Sequence, residues 1–189
     1  MINFPSYLSW NLVYKASVDG FSAKSFHSKC GSIRNTLTII KTTNSFIFGG
    51  FTSSDWNING NSYISKYDAN AFIFSLVNNF NISVRMNVTQ PQNAIYASSY
   101  SGPVFGASSE IYISDNSNAT ISSYSNLGYD YQLPSFLLNL SNFTNSTTST
   151  TSTSGSFVNN TLSSFLAGTY NFMTYEIETY SIDRNLDFF

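Results

Sequence analysis

Thr36-Leu37-Thr38-Ile39-Ile40-Lys41-Thr42-Thr43-Asn44-Ser45-Phe46-Ile47-Phe48-Gly49-Gly50-Phe51 is the stretch whose reading settles the fold. Its two flanks are β-branched and aromatic, the residue types that sit best on a pleated, half-buried surface. Thr43-Asn44-Ser45 is short and polar, which predicts a tight hairpin between strands over 36–42 and 46–51. Gly49-Gly50 lacks the lysine of a phosphate loop, so it reads as a bend or a close backbone approach.

Moving outward, residues 11–18 read as a short strand and Ser22–Cys30 as a helix that Ser22 caps and Gly31 ends. Phe26 and Cys30 lie four apart, so one helix face buries both. Further strands are predicted over Ala71–Val77, Ser83–Val88, Ala94–Ala97, Glu110–Ser114 and Phe172–Ile182. Short strands punctuated by Gly, Pro and Asn predict a mainly β fold, a two-layer antiparallel β-sandwich with a few short helices. Residues 144–156 are almost wholly Ser and Thr. Such a tract buries too little apolar area to offset its ordering entropy, which predicts a flexible insertion. Strand-like sequence resumes at Phe165, so the tract interrupts a single domain over 11–183, with 1–10 as an amino-terminal extension and 184–189 as a carboxy-terminal tail.

Composition excludes several function classes. The chain has 189 residues, enough for one domain with a substantial core. Eight Lys and Arg against ten Asp and Glu form no basic stripe, which argues against nucleic acid as a partner. Runs such as Ala71–Val77 are far shorter than the roughly 18 apolar residues a membrane span needs, so no membrane insertion is expected. One cysteine rules out an internal disulfide framework, and Met1–Pro5 lacks the pattern of a signal peptide; together these predict a cytoplasmic protein. Seven Asn-x-Ser/Thr triplets, at Asn81, Asn87, Asn118, Asn139, Asn142, Asn145 and Asn159, look like a secreted glycoprotein, and a secreted glycan-binding sandwich is one alternative. In so Asn-, Ser- and Thr-rich a chain, however, chance alone produces about six such triplets.

The residues that could carry chemistry are few. His27 and Cys30, the only histidine and the only cysteine, stand three apart on the predicted helix. A nucleophilic dyad needs the imidazole at the sulfur and a third group to orient the ring, whereas side chains at this spacing point roughly parallel. The plainer reading is a half-buried histidine beside a buried thiol that packs as a small hydrophobe. A redox reading keeps Cys30 as an oxidisable thiol with His27 as its cation, and it requires an exposed sulfur of low pKa. No Gly-x-Ser-x-Gly elbow is present. Asp55, Asn57, Asn59 and Gly60 match the opening half of a calcium loop, but the position that should hold a bidentate glutamate is Lys66. Asp19 before Gly20 reads as a turn residue, and Glu176 and Glu178 share one solvated strand face. No catalytic constellation, metal or cofactor is therefore predicted.

The ordered motifs resemble the TLDc domain, the module of oxidation-resistance proteins. The resemblance rests on Leu12-Val13-Tyr14-Lys15-Ala16-Ser17 leading into Asp19-Gly20-Phe21-Ser22, then Phe26-His27-Ser28-Lys29-Cys30, and the Thr36–Lys41 strand. It continues through Phe48-Gly49-Gly50-Phe51-Thr52-Ser53 with Trp56, and Asp68-Ala69-Asn70-Ala71-Phe72-Ile73-Phe74-Ser75-Leu76. Later pieces are Gly102-Pro103-Val104-Phe105-Gly106, Ile111–Asp115, Tyr124–Gly128, Phe165-Leu166-Ala167-Gly168, and Glu176–Tyr180. The resemblance covers about Leu12 to Ile182. It departs from the family at Ile33-Arg34-Asn35, where a Gly-Pro usually precedes the Thr-Leu strand. It implies the same sandwich, a non-enzymatic role in protection against oxidative stress, and a protein partner that in several relatives is the vacuolar proton ATPase.

Overall fold

Two six-stranded antiparallel sheets face one another across an aromatic core. The computed structural model describes residues 8–60, 62–138 and 162–184. Along the chain come β1 (Leu8–Lys15), α1 (Ala16–Asp19), α2 (Ala23–Cys30), β2 (Thr36–Thr42), β3 (Ile47–Thr52), β4 (Tyr63–Lys66), β5 (Phe72–Val77) and β6 (Val84–Asn87). There follow β7 (Ile95–Ser98), β8 (Ser101–Phe105), β9 (Ile111–Ser114), β10 (Ser123–Tyr124), β11 (Asn171–Phe172) and β12 (Thr174–Arg184). The first sheet is ordered β1-β12-β2-β3-β5-β6 and the second β11-β10-β9-β8-β7-β4. The Ser/Thr-rich stretch 144–156 lies outside the described residues.

The hairpin forms as read. Ser45 N–H donates to the Thr42 carbonyl at 3.0 Å, and Ser45 takes a positive φ of 67°. Strict alternation then sorts the side chains. Ile40, Phe48 and Ile73 enter the core between the sheets, where they meet Phe105, Ile111 and Phe172. Leu37, Phe51, Phe72 and Asn87 are successive cross-strand partners on the opposite face, where Leu37, Phe72, Phe74 and Ile182 form a second apolar cluster. Gly50 is what lets the sheets close: a Cβ there would stand 2.5 Å from the Phe105 ring, well inside contact distance.

Several boundaries differ from the sequence reading, each for a local reason. β1 begins at Leu8, within the stretch read as an extension, because Leu8–Lys15 pairs with the long strand β12. It stops at Lys15, where residues 16–18 had been expected to extend it, because Asp19 Oδ2 accepts the Lys15 N–H at 2.9 Å and folds the chain into α1. The strand expected over Phe172–Ile182 is divided at Met173 into β11 in one sheet and β12 in the other. β4, β8 and β10 are absent from the sequence reading. β8 holds Gly102 and Pro103, residues that signal turns, and the register shifts between Ser101 and Val104, the irregular position where a strand tolerates proline. In place of the usual Gly-Pro, Asn35 makes the turn into β2 with a φ of 53°, a conformation asparagine accepts more readily than most side chains.

Candidate functional site

The helix carrying the only histidine and thiol is fastened at every turn. Ser22 Oγ caps it by accepting the Ser25 N–H at 3.1 Å, as its sequence predicts. Asp115, at the end of β9, accepts the first helical N–H, that of Ala23, at 2.7 Å. Lys29 pairs with Asp19 at 2.8 Å, and that ammonium holds the Asp19 carboxyl below its ordinary pKa. Asp19 is thus a brace between α1 and α2 as well as a turn residue. Phe26 is buried edge-to-face against Tyr14 and Trp56, at ring separations of 5.6 and 5.3 Å. Trp56 in turn meets Phe105 edge-on and donates from Nε1 to Thr36 Oγ1 at 3.0 Å.

Neither His27 nor Cys30 is placed for nucleophilic or redox work. Nε2 of His27 lies 2.7 Å from the Ser98 carbonyl and 3.1 Å from that of Ser101. Carbonyl oxygens only accept, so this nitrogen carries a hydrogen and ties α2 to the turn between β7 and β8. Cys30 is fully buried, and burial pushes its thiol up to about 12. The redox reading required the reverse, an exposed thiolate of low pKa. The packing reading fits both residues.

The half-match to a calcium loop is also put to another use. Asp55 Oδ1 accepts the Asn57 N–H at 3.0 Å, and Asn57 Oδ1 accepts the Asn59 N–H at 2.8 Å. These are Asx turns, in which oxygens that would ligand an ion are satisfied by the loop's own backbone. Burial pushes the Asp55 carboxyl up, but Lys66, the residue standing where the glutamate should be, places its ammonium on it and, with the Asn57 N–H, holds it below its ordinary pKa. The cation of this loop is a lysine.

Among the described residues, the remaining carboxylates build three distinct centres. Glu178 bonds Lys15 and accepts from Tyr180 Oη at 2.7 Å; both donors lower its pKa. Glu176 Oε1 accepts the Ser17 N–H at 3.0 Å, so the pair stitches β1 and α1 to β12. Asp68, buried in the loop before β5, accepts from Thr52 Oγ1, from the N–H and hydroxyl of Ser53, and from the Asn70 N–H. Both of its oxygens are satisfied. Glu110 differs. Its Oε1 accepts the N–H groups of Tyr129, Asp130 and Tyr131, while Oε2 is buried without a hydrogen-bond partner. Burial raises its carboxyl from 4.5 to about 7, and the nearby Asp130 carboxylate pushes the same way. Asp130 itself is held by Asn93 Nδ2 at 3.0 Å and the Ser108 N–H at 2.9 Å. Gly106 makes room for this centre: its φ is 81°, and a Cβ would stand 1.8 Å from Glu110 Oε2.

An open cleft of about 600 Å³ lies over the outer face of the first sheet, where β3 and β6 end and β5 begins. Phe51 and Phe72 stack at 5.3 Å, and the Arg85 guanidinium lies 3.8 Å above the Phe72 ring. Arg85 Nε donates to Asn87 Oδ1 at 2.9 Å. Asn35, Ser53 and Asn70 complete the polar wall, and none of the lining residues is acidic. Asp68 positions two of them, Ser53 and Asn70, from behind.

A family model described as the TLDc domain matches residues 2–183. The chain belongs to the TLDc family. That family is connected with oxidative stress. No curated protein matches the chain. The TLDc motif residues fall chiefly into structural centres. Phe26, His27, Trp56 and Phe105 join α2 to the core, and Asp19-Gly20 closes α1, with the Gly20 carbonyl accepting from Tyr14 Oη at 2.8 Å. Gly50 lies on β3 where the sheets approach, a Cβ on Gly49 would meet the Thr38 carbonyl and the Phe74 ring of its own sheet, Gly106 leaves room for Glu110, and Gly128 directly precedes its bonded N–H groups. Gly168 packs against the Phe46 ring, and Glu176 sits at the register shift of β12. The sequence reading missed the Glu110–Asp130 centre and the cleft. The first had a signal in two carboxylates near motif glycines; Arg85 had none, being a lone cation on a short strand.

Proposed function

We propose that this TLDc chain is a non-enzymatic, cytoplasmic interaction module that contributes to protection against oxidative damage by holding a protein partner, with the vacuolar proton ATPase as the partner to test first. One observation carries the reading. The groups that could do thiol or acid–base chemistry, Cys30, His27 and Glu110, are buried or bonded within the fold, whereas the accessible cleft offers recognition groups: a guanidinium, carboxamides and stacked rings. Such a mix of aromatic anchors and a few oriented polar groups suits binding. A cytoplasmic home also agrees with the use of Asn87: its carboxamide holds Arg85 within the cleft, where a glycan would obstruct it.

Affinity capture of the tagged chain from its own cells, under mild and oxidising conditions, tests the proposal. Recovery of pump subunits in proportion to the tagged chain is expected. Capture without pump subunits under either condition removes the pump from the proposal, and catalytic turnover of a peroxide by the purified chain would overturn its non-enzymatic part. Glycan found on Asn87 of the native protein would contradict the cytoplasmic assignment.

A further inference from the structure

We propose that the cleft on the outer face of the first sheet binds an extended peptide segment of a partner protein through one acidic side chain, which Arg85 receives. The proposal rests on the interaction reading above and gives it a site and a ligand class.

Charge argues for the acid. Lys15, Lys29 and Lys66 are each joined to a carboxylate, whereas Lys24, Arg34, Lys41 and Arg85 have no ion pair among the described residues, and of these four only Arg85 lines the cleft. Its guanidinium is nevertheless oriented, by the Phe72 ring beneath it and by Asn87 at its Nε. Its terminal N–H groups carry no hydrogen bond among the described residues, and a planar fork matches a carboxylate with two parallel hydrogen bonds. The cleft walls contribute no acid of their own to neutralise it.

The neutral groups argue for a peptide. Asn35, Asn70 and Asn87 each carry a carboxamide, which both donates and accepts, as a peptide backbone does. A phosphate site would instead gather several cations or a nest of backbone N–H groups, and the cleft has one guanidinium. The half-buried Phe51 ring, stacked on the buried Phe72, supplies an apolar wall for a side chain beside the acid. The cleft is an open trough of about 600 Å³ at the end of edge strand β6, so a chain can lie along it without the protein opening.

The test is an NMR titration of the ¹⁵N-labelled full chain with acetyl-Ala-Glu-Phe-Ala-amide and with its Gln counterpart. Expected are shifts of the Arg85 Nε and the Asn35, Asn70 and Asn87 side-chain resonances, with the Glu peptide binding about tenfold more tightly than the Gln peptide. Arg85→Gln should erase the difference between the two, and R85K, which keeps charge but not the fork, should restore only part of it. Shifts confined to other surfaces, equal affinity for the two peptides, or inorganic phosphate displacing the Glu peptide at matched ionic strength would each overturn the proposal. Should R85Q fold poorly, the Glu-to-Gln comparison on the wild-type chain decides alone. Capture of pump subunits that R85Q leaves undiminished would place the partner surface elsewhere and leave the interaction reading standing; peptide binding without pump capture would do the opposite.

Discussion

The α2 helix and the Arg85 cleft divide the molecule's chemistry in opposite ways. α2 holds the histidine and the thiol, yet His27 is bonded to two carbonyls and Cys30 is fully buried. The cleft holds nothing reactive, yet its guanidinium is oriented by the buried Phe72 ring and by Asn87, and its carboxamides line an open trough. Residue type therefore misleads about where this protein acts. Accessibility and unspent hydrogen-bonding capacity are the better guide, and on those grounds α2 is a structural wedge and the cleft is the recognition surface proposed above.

The largest effect that would sharpen this contrast comes from the wedge. Phe26→Ala removes a fully buried ring from the Tyr14–Phe26–Trp56 cluster, and chemical denaturation should show a loss of about 3–5 kcal/mol. A loss under 1 kcal/mol would mean that α2 is not a principal part of the core.

Glu110 gives the next effect and a pH signature. Its folded pKa of about 7 exceeds the ordinary 4.5, so the folded state binds the proton more tightly than the unfolded state. Its contribution to stability is therefore full below about 4.5, declines between 4.5 and 7, and is absent above 7. The decline amounts to about 3 kcal/mol at most. Glu110→Gln keeps a carbonyl for the three N–H groups, offers Asp130 a donor, and should flatten that slope. Asp19, Asp55 and Glu178, each held below its ordinary pKa by a lysine, act the other way: their contribution is present above the ordinary carboxylate range and is lost as the solution becomes strongly acidic. An E110Q melting profile with the wild-type slope between pH 4.5 and 7 would contradict this account of the buried centre.

Smaller effects separate the two regions further. Cys30→Ala should cost roughly 1 kcal/mol, through lost packing of a fully buried side chain, while leaving peptide binding in the cleft untouched. Arg85→Gln should do the reverse, shifting stability by no more than about 1 kcal/mol for the lost ring contact while removing selectivity for an acid.

The sandwich was legible because its signals are local. Alternation and a polar three-residue turn predict the β2–β3 hairpin, and Ser22 predicts the start of α2. β8 was not, because Gly102 and Pro103 carry turn signals that pairing on both sides overrides. Gly49-Gly50 could be read as a close approach, but that Gly50 makes room for Phe105, and Gly106 for Glu110, depends on packing between distant segments. The cleft was the least legible feature. Asn35, Phe51, Asn70 and Arg85 come from four separate stretches of chain, and only the sheet order brings them to one face.

The rate at which native Cys30 reacts with a thiol-labelling reagent near neutral pH tests most directly the claim that this TLDc chain works by recognition and not by thiol chemistry. A buried thiol pushed up to about 12 should react orders of magnitude more slowly than in the denatured chain, and only as fast as the fold opens. Labelling of the native chain as fast as the denatured control, or faster, would contradict it.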